Sequence, residues 1–249
     1  MAKAINHDDQ LPLRQGWRAH MTGSETKPTI ARSYDAQAAG YDRRWASYTA
    51  RSTELTLDAL PRLAPGAQVL DVGCGTGPLL GALRDRDAEL ALTGVDVSEA
   101  MLAQASARLG AQVALCRAPA ERLPFDDASF DAVVTASALH HWPEPERGLA
   151  EIARVLTTGG GLVVTDWCRE SWPMRLMDRY LRLCDAAHHR ALTRRELAGL
   201  VVGAGFDIDN QTRHRIDWLW QLQVLTGRRA TPDASQARDP DPEDDHAQA

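Results

Sequence analysis

Three observations predict an α/β fold built as a doubly wound, mostly parallel sheet with helices on both faces. Strand-sized apolar runs alternate with helix-sized ones, a glycine-rich turn follows the first run directly, and the first two runs each end in an acidic residue. A chain of 249 residues, 44% of them hydrophobic, is long enough for one sizeable core of this type.

The first residues, through about Pro28, mix polar and charged types without a period and read as a flexible tail. Residues 29–228 form the domain, and 229–249, with "RDPDPEDD", read as a disordered acidic tail. A helical stretch from Ser33 to about Leu60 precedes strand one. Strands near 68–72, 91–95, 112–116, 130–136 and 161–166 alternate with helices near 78–86, 98–109 and 145–157. Strand four, Phe130 to Thr135, is nearly all apolar, as a central parallel strand buried on both faces should be. Ser98 stands as an N-cap before Glu99, Met101 and Leu102. A last unit, a helix over 193–203 ended by Gly205 and strands near 206–211 and 214–224, completes seven strands.

The turn after strand one is the chemical centre. In Val69-Leu70-Asp71-Val72-Gly73-Cys74-Gly75-Thr76-Gly77 the glycines let the backbone take positive φ and let a ligand lie on the main chain with no Cβ in its way. A dinucleotide fingerprint G-x-G-x-x-G counted from Gly73 needs glycine at 78, where Pro78 stands; the spacing is G-x-G-x-G, which disfavours an NAD oxidoreductase. Asp71 at the strand end is poorly placed to face a pyrophosphate and well placed beside an ammonium or sulfonium. Asp96, at the tip of strand two, can accept both hydroxyls of a ribose.

The segments "VLDVGCGTG", "GVDVSEAML", "LPFDDASFDAVV", "ALHHW" and "EIARVLTTGGGLVVTD" resemble, in order, the motifs of class I S-adenosylmethionine-dependent methyltransferases. They are most similar to the branch of ubiquinone and menaquinone biosynthesis methyltransferases. The resemblance spans residues 30 to 168. It implies a Rossmann-like sheet of seven strands with the last antiparallel, S-adenosyl-L-methionine as cofactor, and a cofactor site drawn from Asp71, Gly73, Cys74, Gly75, Gly77, Asp96, Val97, Met101, Ala120, Glu121 and Ser137. "YDAQAAGYD" resembles the family's lid helix, which implies that Tyr34 and Tyr41 close over the methionine end of the cofactor. One position departs from the pattern. Where the family places an acid that binds the adenine amino group, this chain has Pro119, so the adenine edge falls either to the backbone around Ala120 or to Glu121, whose bland reading is a solvated loop charge.

His140 and His141 offer a general base, since imidazole titrates near neutral pH. The "LHHW" motif occurs in the family whatever the acceptor, which equally fits a packing role. Acceptor choice should lie in the lid helix, over about 33–60, and in a covering segment over about 168–192. The latter carries Trp172, Met174, Met177, Tyr180, Leu181 and Cys184 at near-helical spacing. That stripe fits helix packing as well as an acceptor box. His188 and His189 are further candidates for a base, or with Arg190 for a grip on an acidic acceptor; two adjacent histidines are too little for a metal site, and no metal is expected.

The formal charge of −6 supplies no general basic field for nucleic acid. Cys74, Cys116, Cys168 and Cys184 form no C-x-x-C pair and follow no secretory leader, which fits reduced thiols and a cytoplasmic location. No apolar run approaches the roughly 18 residues of a spanning helix. The expected function is methyl transfer to a small, aromatic or largely apolar molecule. The alternatives are a cofactor-binding protein of the same fold without transferase activity, suggested by Pro119, and a protein or RNA methyltransferase. Oligomeric state is not encoded in any of these features.

Overall fold

A computed structural model describes residues 27–185 and 187–231; the expectations for the two tails fall almost wholly outside them. Seven strands, β1 (Gln68–Val72), β2 (Ala91–Asp96), β3 (Ala114–Arg117), β4 (Phe130–Ala136), β5 (Leu156–Trp167), β6 (Phe206–Arg215) and β7 (Gln221–Arg229), join in one sheet of order 3-2-1-4-5-7-6. β1 to β5 are parallel, while β7 runs antiparallel to both β5 and β6. The fold is therefore Rossmann-like with its final strand reversed. Strand order reverses between β1 and β4, and the crevice outside the carboxyl ends of such neighbours is where open α/β sheets hold ligands.

Among the described residues six α-helices flank the sheet: α1 (Lys27–Ala59), α2 (Pro78–Arg86), α3 (Glu99–Leu109), α4 (Pro145–Val155), α5 (Trp172–Cys184) and α6 (Arg194–Gly203). Alternation along each strand sends neighbours to opposite faces. Thus Val69 and Val134 pack with Leu79, Leu83 and Leu109 from α2 and α3, whereas Leu70 and Val133 pack with Leu149, Ile152 and Leu197 from α4 and α6. Leu149 is wholly buried on the second face. Leu149→Ala is expected to cost about 2–5 kcal/mol through lost burial and the cavity left behind, read as a lower chemical-denaturation midpoint at unchanged slope.

Several boundaries differ from the sequence reading, each for a local reason. α1 begins at Lys27, with Pro28 in its first turn, where a missing N–H does no harm. Gly110–Gln112 take a 3-10 turn, so β3 starts at Ala114. The helix expected to reach 157 stops at Val155, and β5 starts at Leu156, which is fully buried and pairs with Phe130. The strand expected over 214–224 is broken. Asp217 Oδ1 accepts from the N–H groups of Leu219 and Trp220, both at 2.7 Å, and this side-chain turn reverses the chain between β6 and β7.

Candidate active site

The glycine loop leaves β1 and enters α2 with Gly73, Gly75 and Gly77 all at positive φ, but the three glycines serve different ends. A Cβ on Gly73 would come within 2.4 Å of the Ala138 Cβ, and one on Gly77 within 2.8 Å of Leu109. These two are required by packing. A Cβ on Gly75 meets nothing within 4 Å, because Gly75 borders the cleft. It is the glycine that leaves room for a ligand.

Asp96 ties this loop to the next one. One carboxylate oxygen accepts from Gly75 N–H at 2.9 Å and the other from Ser98 N–H at 2.8 Å. Ser98 in turn caps α3, its hydroxyl accepting from Met101 N–H at 3.1 Å. That sequence places Asp96, Val97 and Met101 together on the cleft wall. Asp96→Ala should weaken cofactor affinity by about 1–3 kcal/mol, through lost ligand contacts and a slackened loop; an unchanged dissociation constant by titration calorimetry would count against its assignment.

Asp71 also faces the cleft and is buried, with Oδ1 lacking a hydrogen-bond partner. Burial, with the Asp96 carboxylate beside it, raises its carboxyl to about 8. Cys74 lines the same wall; burial pushes its thiol well up, so it packs as a small apolar group. On the opposite wall stand Pro119, Ala120 and Glu121. Glu121 is buried with Oε1 unpartnered, which removes the reading of a solvated loop charge. Two buried carboxylates with idle oxygens in one cleft call for a ligand carrying donors.

α1 roofs the cleft. Tyr34 and Tyr41 line it as the sequence suggested, and so does Tyr48, which the sequence reading missed. Its signal was present, since tyrosines at 34, 41 and 48 recur every seven residues and share one helix face. The Tyr48 hydroxyl bonds the Ser137 hydroxyl at 2.7 Å and accepts from the Trp167 indole N–H at 2.7 Å. Ser52, another missed cleft residue, reaches the same Ser137 hydroxyl at 3.0 Å. Ser137 holds an unusual φ of 58° at the end of β4. Burial, then the charge of Asp96, pushes the Tyr41 phenol up to about 12, so it stays neutral.

Beyond Ser137 a 3-10 turn, Leu139–His141, carries both histidines. Only His141 lines the cleft. Its Nδ1 must donate, because its partner at 2.7 Å is the Ala187 carbonyl; Nε2 is then the acceptor for the Tyr34 hydroxyl. Burial, and next the neighbouring His140, holds its pKa well below the usual value. His140 is buried behind it, stacked on Trp167 at 3.9 Å between ring centroids, with Nδ1 on Asp166 Oδ1 and its backbone N–H on Asp166 Oδ2. His188 is buried as well, Nε2 bonded to Asp178 Oδ1 at 2.9 Å and Nδ1 unpartnered. The fold thus gathers the three candidate bases into one cluster, although only His141 faces the cleft.

Three residues lie off the cleft lining: Gly77, His140 and His188. The segment over 168–192 also contributes nothing to that lining among the described residues. α5 turns Trp172, Leu176, Tyr180 and Leu183 to solvent, and its buried face supports the histidines through Asp178. Lining residues come from α1 instead, so the roof is one helix and not two. The cleft and its open mouth together hold about 1090 Å³ of atom-free space, open solvent included.

Residues 70–164 match the family model described as "Methyltransferase domain". A demethylmenaquinone methyltransferase of Parafrankia sp. is 35% identical over 170 residues, covering 59% of this chain and 63% of that protein. A 27-O-demethylrifamycin SV methyltransferase of Amycolatopsis mediterranei is 34% identical over 167 residues, 57% of this chain and 60% of the relative. The chain thus spans about three fifths of the length of these curated relatives. Among solved structures, a geranyl diphosphate methyltransferase in complex with GPP and sinefungin superposes with a TM-score of 0.70 at 16% identity, over 84% of this chain and 100% of that one. At that identity the likeness is one of fold. No helix of the described residues is long and apolar enough to cross a membrane.

Proposed function

We propose that this chain is a class I S-adenosylmethionine-dependent methyltransferase of the ubiquinone and menaquinone biosynthesis branch, and that it transfers a methyl group to a small, aromatic or largely apolar molecule. One observation carries the reading. The cleft brings the glycine loop and two buried carboxylates with unpartnered oxygens together with a roof of tyrosines and a half-buried imidazole. S-adenosylmethionine, when bound, supplies an electrophilic methyl on sulfur. The chain has to hold donor and acceptor in line and exclude water.

Each residue group has a part in that task. Asp96 receives the ribose hydroxyls, Glu121 and the backbone at Ala120 meet the adenine edge, and Asp71 with the loop around Gly75 faces the cationic end. Tyr34, Tyr41 and Tyr48 supply apolar faces and keep water out. The histidine cluster, with His141 at the cleft, activates the acceptor hydroxyl. The relatives named for quinone and rifamycin substrates fit an acceptor with a ring hydroxyl or an activated ring carbon, and they place no demand for a basic nucleic-acid groove.

Incubating the purified protein with methyl-labelled S-adenosylmethionine and a panel of phenols, quinols and heteroaromatic amines tests the proposal. Label is expected in one chemical class of small molecule. Label confined to protein or RNA would overturn it, and tight cofactor binding with no labelled product on any acceptor would favour a non-transferring relative.

A further inference from the structure

We propose that His140, His141 and His188 form a three-nitrogen site for a divalent transition-metal ion, with zinc as the reference occupant, at the acceptor end of the cleft. One ring nitrogen from each lies within 4.8 Å of the others.

A histidine that ligates a metal commonly passes its other N–H to a carboxylate or a backbone carbonyl, which fixes the tautomer and raises the basicity of the ligating nitrogen. All three histidines have that partner here. His140 Nδ1 is held by Asp166, His141 Nδ1 by the Ala187 carbonyl and His188 Nε2 by Asp178. The nitrogens left for an ion are therefore His140 Nε2, His141 Nε2 and His188 Nδ1. The last of these is buried and unpartnered, an unfavourable state for a polar atom unless something fills it.

Charge points the same way. Asp166 and Asp178 are both almost fully buried behind the cluster, and although Asp178 also meets Arg182 at 3.5 Å, both place negative charge beside a cation held by imidazoles. Asp178 is fixed further by the Ala191 N–H at 2.8 Å, and Asp166 by the His140 N–H at 3.0 Å. An all-imidazole set suits zinc, iron(II) or copper and offers nothing to magnesium or calcium, which want oxygen. Nitrogens sharing one tetrahedral zinc at 2.0–2.1 Å stand roughly 3.4 Å apart, so the rings close in by little more than an ångström. The Tyr34 hydroxyl, now donating to His141 Nε2, gives up that contact when the ion arrives. Held beside His141, the one histidine of the three that lines the cleft, such an ion would lower the pKa of an acceptor hydroxyl that reached it. That role, unlike occupancy itself, rests on the function proposed above.

Zinc titrated calorimetrically into chelator-treated protein, without cofactor or acceptor, is expected to bind one to one. Cobalt(II) should give the intense visible absorption of a tetrahedral site. His188→Gln should weaken zinc binding at least a hundredfold, and Asp178→Asn, which removes only the partner of His188 Nε2, ten- to a hundredfold; His141→Phe, which also removes a ligating nitrogen, takes its place if His188→Gln does not fold. The proposal is overturned if protein with intact circular dichroism and cofactor binding takes up no zinc. It is equally overturned if zinc binds as well to the folded histidine variant as to the parent. Histidine-dependent zinc binding in a protein that methylates no small molecule would retain the site and refute only the function proposed above.

Discussion

Gly75→Val is expected to abolish S-adenosylmethionine binding while leaving a folded protein. Nothing stands within 4 Å of the position a Cβ would take there, so the side chain projects into free space in the cleft. The strain of a β-branched residue at a φ of 54° is on the order of 1–3 kcal/mol, less than the 5–15 kcal/mol that typically stabilises a domain. Calorimetric titration alongside circular dichroism checks both halves. Gly73→Val should fail differently. Its Cβ collides with the Ala138 Cβ at 2.4 Å, so stability falls along with binding. Retained affinity in folded Gly75→Val would mean that the ligand does not lie on this loop.

Cofactor affinity should rise with pH because of Asp71. Its carboxyl is raised to about 8 in the ligand-free protein, so at pH 7 it is mostly protonated. A cation placed beside it favours the carboxylate and expels that proton. Below about pH 8 each unit of acidity should then weaken binding by up to about tenfold, and titrations in buffers of different ionisation enthalpy should reveal proton release. Asp71→Asn should remove both effects, which separates them from titration of the ligand itself. Stability without ligand runs in the opposite sense. The unfolded chain loses the Asp71 proton near 4 and the folded one near 8, so the folded state binds more protons over that window and this group makes stability fall as pH rises. Flat affinity across pH 6.5 to 8.5 with no released proton would exclude an ionised Asp71 in the complex.

The sheet and most of the cofactor wall were readable from sequence because each depends on local pattern. An apolar run, its acidic end and the glycines after it fix a strand, a turn and a helix start within a dozen residues, and Asp71, Gly75 and Asp96 fall where such units put them. Buried or solvated, by contrast, is a property of what packs on top. Glu121 sits in a loop whose sequence is indifferent to the matter, and the walls closing over it come from elsewhere in the chain. The break at Asp217 was overlooked because Trp218, Leu219 and Trp220 look like strand, although an aspartate able to bond N–H groups two and three residues on was present. The histidine cluster lay furthest beyond reach. His140 and His141 are adjacent by sequence, but the third ring arrives by a long path through α5, and its partner Asp178 looks like any helical surface charge until α5 is docked.

The long roof helix is fastened unevenly along its length. Its carboxyl-terminal half is secured by uncharged hydroxyls, Tyr48 and Ser52 to Ser137 and Thr56 to Thr165, groups that dissolved ions scarcely affect. Its amino-terminal half leans on carboxylates: Asp35 on the Ser98 hydroxyl at 2.6 Å, and Asp42 on the Thr76 hydroxyl at 2.6 Å and on the half-exposed Arg108. Counterions weaken an exposed charge pair of that kind. The same helix therefore acts as a fixed post at one end and a salt-sensitive latch at the other, and the latched end carries Tyr34 and Tyr41 of the cleft lining.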